Sequence, residues 1–176
     1  PTVMNNLLGT NLKLVTGYPG GNDINFAMER GELDGRCGWS WSSVKATRCK
    51  WLKSGKINVV LQMSTAKHAD LPKVPFIMDL AKSDKDKKIL GLIFARQAWG
   101  RPFNTTPNVP KARLAALRAA FQATMKDPKY IEDMKRQKLE LNPISGEKIQ
   151  GMIEDLFKLP KELVAATARA ASDQGG

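Results

Sequence analysis

The stretch VTGYPGGNDINFAMERGELDG, residues 15–35, decides how the chain is read. An apolar, strand-like run ends in Tyr18, Pro19, Gly20 and Gly21. A helical pattern starts at once, with Ile24, Ala27 and Met28 on one face at i, i+3, i+4. Gly31 stops that pattern, and ELDGRCG (32–38) reads as a short strand. The first turn of a helix carries unpaired N–H groups and a partial positive charge. A glycine pair in front of it is therefore either a plain turn or a seat for a carboxylate or phosphate.

Working outward, residues 2–8 read as the last turns of a helix closed by Gly9, and NLKLVT (11–16) alternates at period two, as a strand does. Downstream, SWSSVKATRCKWLKSG (40–55) is a basic helix ended by Gly55. INVVLQM (57–63) is β-branched and almost uninterrupted, the strongest strand signal in the chain. The order β-α-β-α-β predicts an α/β fold with a parallel sheet covered by helices.

Beyond it, the two prolines of KHADLPKVPFIMDLA (67–81) forbid a central strand, and a charged helix follows over about 83–98. GRPFNTTPNVP (100–110) is the best boundary or hinge. The remainder is helical. Leu114, Leu117, Phe121 and Met125 form one stripe; Asp127-Pro128 opens a helix ending near Gln137; Ser145 caps another; and Pro160 starts the last. KLEL (138–141) is at most one strand. Four helices with so little strand imply packing on a sheet whose strands lie mostly outside this chain.

Net charge is +11, divided as +2 over residues 1–50, +6 over 51–102 and +3 over 103–176. Between residues 45 and 101 only Asp70, Asp79, Asp84 and Asp86 oppose the basic groups. That balance suits nucleic acid, an anionic surface or small acidic ligands, and equally a solvated lysine-rich face. No apolar run approaches the roughly 18 residues that span a bilayer. The chain opens Pro1-Thr2-Val3, so either a processed segment is removed or this is an internal piece of a longer protein. Cys37 and Cys49 form no CxxC pair, and with Cys37 read as a buried strand residue two free thiols are expected over a disulfide.

The phosphate loop GxxxxGK[ST], the GxGxxG fingerprint and the GxSxG elbow are all missing, and His68 has no nucleophile or orienting acid beside it in sequence. The chain is therefore expected not to be an enzyme and to need no cofactor or metal. The expected site is instead a binding site. Gly20, Gly21 and Asn22 present backbone donors, Tyr18 adds a hydroxyl or a wall, and Asp23 either caps the helix or accepts from a ligand. In a parallel sheet the loop Gly38-Trp39-Ser40-Trp41-Ser42-Ser43 would open on the same side. There, beside Gly38, either Trp39 or Trp41 walls the pocket while Ser40 and Ser42 donate hydrogen bonds, or one Trp packs under the helix and one Ser caps it.

GYPGGNDINFAMERGELDGRCG (17–38) resembles the Tyr-x-Gly-Gly…Gly-x-Val-Asp segment of the tripartite tricarboxylate transporter receptors, the Bug-type periplasmic solute-binding proteins. KHADLPKVPFIMDLA is similar to that family's Leu-Pro-x-Val-Pro stretch, and residues 102–149 are similar to its return segment and final helices. The sequence departs from the pattern at Gly38-Trp39, where many relatives have Asp-Asn, and at Asn108, where Gly is usual. The resemblance implies a type II periplasmic-binding-protein-like α/β fold of two lobes. Residues 1–102 would form part of the second lobe, and residues 103–176 would cross the hinge and give the C-terminal helical part of the first.

It further implies a periplasmic receptor that captures a small carboxylate, of organic-acid or amino-acid type, at Tyr18, Gly20, Gly21, Asn22, Asp23, Gly38, Trp39 and Ser40. The receptor would deliver its ligand to the transporter's membrane permease subunits, without nucleic acid as a partner. The alternative reading is a basic nucleic-acid-binding module resting on residues 45–101, with Trp51, Phe94 and Trp99 nearby. Its basic residues form no single stripe and no familiar nucleic-acid motif occurs.

Overall fold

The computed structural model describes residues 1–137 and 139–172. Eight α-helices form among them: α1 (Thr2–Leu8), α2 (Gly21–Glu29), α3 (Trp41–Lys53), α4 (Asp84–Ala95), α5 (Lys111–Lys126), α6 (Pro128–Arg136), α7 (Gly146–Phe157) and α8 (Lys161–Ala171). Single turns of 3-10 helix add Ile77–Leu80 and Arg96–Trp99.

Local chemistry sets the helix ends. Gly9 closes α1 at φ 72, a left-handed conformation in which a Cβ would clash with the backbone. Asp127 accepts from the Tyr130 N–H at 3.0 Å to start α6, and Pro128 fills the first helical position, where no N–H is needed. Ser145 Oγ accepts from the Lys148 N–H at 3.2 Å to start α7. Ser83 Oγ takes the Asp86 N–H at 3.1 Å and donates back to Asp86 Oδ2 at 2.7 Å, anchoring the first turn of α4. α3 is interrupted at Arg48, whose φ of −134 lies outside helical geometry.

The α/β expectation, and with it the type II periplasmic-binding-protein-like architecture, is overturned: among the described residues there is no sheet. Residues 11–16 and 32–38 join no ladder. Within 57–63 only Gln62 pairs, in one isolated parallel bridge to Phe76, with Gln62 N–H on Pro75 O at 2.8 Å and Ile77 N–H on Gln62 O at 3.0 Å. Of the segment 138–141, Lys138 lies outside the described residues and 139–141 carry no strand.

The physical reason is that alternation records which side chains suit a half-buried surface. A strand also needs a neighbour for its N–H and C=O groups, and apart from the single Gln62 bridge none is placed beside these segments among the described residues. Their side chains show it: Leu12, Leu14, Val15 and Val60 are all exposed. Cys37, expected inside a strand, is exposed as well; it and Cys49 are free thiols.

The described chain forms two compact units. The first comprises Pro1–Ser40, Val59–Ala95 and Pro160–Gly176. In it α4 packs on α8 and on the turn Ile77–Leu80, and α1 packs on α8. Ile77, Leu90 and Phe94 form its buried centre, with Leu7, Leu61 and Met63 against them, while Ile89, Ala166 and Ala170 join α4 to α8. Asn6 Nδ2 donates to Ala170 O at 3.1 Å and Ser172 O at 3.0 Å, so a side chain of α1 satisfies the open carbonyls at the end of α8.

The second unit comprises Trp41–Asn58 and Arg96–Leu159. Here α5 packs on α6. Its one buried apolar side chain among the described residues is Val44, and Phe103, Leu117, Ile153 and Phe157 stand exposed.

Candidate functional site

Gly20, extended at φ −163, precedes α2, and Gly21 is its first residue. No side chain caps this helix, so Asp23 does not take the capping role, although it is the acidic residue of the first turn. Its Oδ2 lies 3.2 Å from where a Cβ on Gly20 would stand, so the carboxylate leans back over the helix start. Asn22 and Asp23 are exposed, and Tyr18 is half-buried just ahead of the glycines.

The residue that organises this corner is Arg36, which the sequence reading did not single out. Its Nη1 donates to Gly21 O at 2.9 Å and to Asn25 Oδ1 at 3.0 Å. Asn25 is 2% exposed, so this bond gives a buried amide oxygen its partner. The same guanidinium lies over the Trp39 ring, 4.5 Å from its centroid. Arg36 thereby connects the glycine junction with the Gly38-Trp39-Ser40 loop, and these predicted residues are brought together by a cation rather than by adjacent strand ends. Gly38 holds a left-handed φ of 75, which turns the chain between Arg36 and Trp39. Ser40 is exposed beyond them.

Gly21 is constrained by this arrangement. A Cβ there would fall against the guanidinium, within 3.0 Å of Arg36 Cζ. Only glycine lets the guanidinium lie so close to the helix backbone. The sequence signal for Arg36 was its place between Gly35 and Cys37-Gly38, as a lone cation in a glycine-flanked turn.

Nearby, Arg30 grips Glu32 through Nε to Oε1 at 2.6 Å and Nη2 to Oε2 at 3.1 Å. The hydrogen bond to Arg30 holds the Glu32 carboxyl below its ordinary range. Arg30 is in turn raised, first by that hydrogen bond and then by the charge of Glu32.

A separate groove of about 420 Å³ lies in the second unit along α5, lined by Lys111, Leu114, Arg118, Gln122 and Glu147. Arg118 there reaches Glu147 at 3.0 Å and Gln150 at 3.1 Å, so its guanidinium ties α5 to α7. None of the residues expected at the site lies in it.

On α3, Lys45 sits over Trp41 and pairs with Glu140 at 2.5 Å, while Arg48 and Lys56 both lie over Trp51. Much of the basic character of this segment is thus matched locally by aromatic faces and one carboxylate. No helix among the described residues is long and apolar enough to cross a membrane. Comparison with protein-family models, with curated proteins and with solved structures finds no match.

Proposed function

We propose that the chain is a receptor for a small carboxylate, which it delivers to the membrane permease of a tripartite tricarboxylate-type transporter from the periplasmic side. The observation that carries this reading is the Arg36 guanidinium beside the first turn of α2. A carboxylate approaching that turn meets the partial positive charge of the helix start and a full positive charge held in place by Gly21 O and Asn25. Trp39, under the guanidinium, offers an apolar wall for the rest of a ligand.

The motif resemblance of residues 17–38, 67–81 and 102–149 supports the receptor role, and the absence of nucleophile and phosphate-loop motifs in the sequence favours binding over catalysis. Asp23 opposes a second negative charge at the helix start, so it selects ligands that also carry a hydroxyl or amino donor.

The test is a thermal-shift and calorimetric panel of di- and tricarboxylates, amino acids and aromatic acids. A true ligand at 100 times its dissociation constant adds about 2.7 kcal/mol of stability. Gly21→Leu and Arg36→Ala are each expected to remove the effect. No stabilisation by any acid of the panel would sink the proposal.

A further inference from the structure

The groove along α5 is made by the sequence of that helix. Lys111, Ala115, Arg118 and Gln122 fall at i, i+4, i+7 and i+11, on one face. Ala115 and Ala119, one turn apart and both exposed, leave the floor low between these longer side chains, and half-buried Leu114 gives it an apolar edge. Arg118 is a fixed wall. Glu147 and Gln150 hold its guanidinium, and a Cβ on Gly146 would stand only 2.6 Å from its Nε. The volume of about 420 Å³ falls in the range of small-molecule sites.

The charge beside this groove is one-sided. α5 carries Lys111, Arg113, Arg118 and Lys126 and no carboxylate. Arg118 is matched by Glu147, whereas the side chains of Lys111 and Arg113 make no hydrogen bond or ion pair among the described residues. Both sit in the first turn of α5, where the helix is already partly positive and a cation costs stability. An anion at the Lys111 end offsets that cost. Glu147 repels one at the Arg118 position, so the two ends of the groove are not equivalent.

We propose that this groove binds a medium-chain fatty carboxylate, its head at Lys111 and its alkyl tail laid over Ala115 and Ala119 toward Gln122. The helix runs about 16 Å between Lys111 and Gln122, the reach of such a chain. The tail covers apolar surface, and the aliphatic stem of Arg118 flanks it. This site lies in the second unit, and it stands or falls independently of the Arg36 corner.

Calorimetry of the full chain with decanoate, below its micelle concentration, reads the affinity, and backbone amide shifts of the unaltered chain locate the ligand. Decanoate is expected to bind with its shifts centred on residues 111–122, and the shorter hexanoate at least about tenfold more weakly. Decyltrimethylammonium, with the same tail and the opposite charge, is expected to leave those amides unmoved. Ala119→Leu puts a good helix former at an exposed position, so the helical circular dichroism should persist while the filled floor weakens decanoate at least about tenfold. Lys111→Gln is expected to weaken it about fivefold. Four results overturn the proposal: no binding of decanoate; shifts centred on residues 18–25, which would favour the Arg36 corner instead; equal binding of the cationic amphiphile; or indifference to Ala119→Leu. The shift map uses the unaltered sequence and stands even if a variant misfolds.

Discussion

The side-chain oxygen of Gln62 accepts the backbone N–H of His68 at 2.8 Å. Its amide nitrogen donates to Leu71 O at 2.7 Å and Val74 O at 2.9 Å. With its own N–H and C=O in the bridge to the 75–77 segment, this buried glutamine satisfies every polar group it carries. It does so by serving the turns of KHADLPKVPFIMDLA, where Pro72 and Pro75 remove donors and regular pairing is impossible. One side chain replaces the hydrogen bonds that a helix or ladder would have supplied.

Replacing it should therefore be costly. Gln62→Leu leaves the His68 N–H and the Val74 C=O without this partner and leaves Leu71 O with only the Val74 N–H at 3.2 Å, and a loss of about 2–3 kcal/mol is expected in urea denaturation. Gln62→Glu keeps an acceptor for His68 but turns a negative oxygen toward two carbonyls. Its penalty is expected to be larger at pH 8 than at pH 4, because burial and the carbonyls raise the new carboxyl's pKa and its protonated form can donate again. Equal stability of Gln62→Leu and the parent would show that the loop is held by other means.

How much of this was legible beforehand divides by the range of the interaction. The helices were readable because their signals are local: Gly9 and Gly31 at left-handed φ, Asp127 and Ser145 as caps, Pro128 and Pro160 at helix starts. The strands were not, because neither the period-two alternation of 11–16 nor the β-branched run of 57–63 says where a pairing neighbour lies. At the site, the glycine junction and the Trp39 loop were legible as separate motifs. Arg36 was not, since its partners Gly21 and Asn25 stand 15 and 11 positions away and no local pattern links them.

The Arg36 to Asn25 bond makes a second prediction, independent of any ligand. Arg36→Ala leaves the Asn25 amide oxygen buried without its donor and removes the stacking on Trp39. About 1–3 kcal/mol of stability should be lost in denaturant melts. Arg36→Lys keeps the charge and one donor but cannot hold Gly21 O and Asn25 while lying flat on the ring, so it should recover only part of that loss. Gly21→Ala should resemble Arg36→Ala, because its Cβ displaces the same guanidinium. If Gly21→Ala were neutral, the close approach of Arg36 to α2 would be wrong.

The caps of α6 and α7 give a third prediction. Asp127→Ala and Ser145→Ala each remove one side-chain acceptor from a first-turn N–H, worth about 1 kcal/mol apiece. They serve different helices and share no hydrogen-bond partner, so the double variant should lose the sum to within about 0.5 kcal/mol. A clear departure from additivity in the double-mutant cycle would mean that the two caps are energetically coupled rather than independent.

The fourth prediction concerns acid. The Glu147 carboxyl, in the first turn of α7, is held below the ordinary carboxylate range, first by a hydrogen bond from its own backbone N–H and further by the charge of Arg118. A folded-state value depressed below the unfolded one means that the charged carboxylate stabilises the native chain. That contribution is complete above the unfolded value of about 4.3 and is lost as pH falls through the depressed folded one. Because Glu147 is exposed to solvent, the effect is small and sensitive to salt. Melting temperatures of the parent and Glu147→Gln should differ at pH 7, with the parent higher, and converge toward pH 3. A difference that stays constant with pH would assign the stabilisation to packing of the Glu147 side chain rather than to its charge.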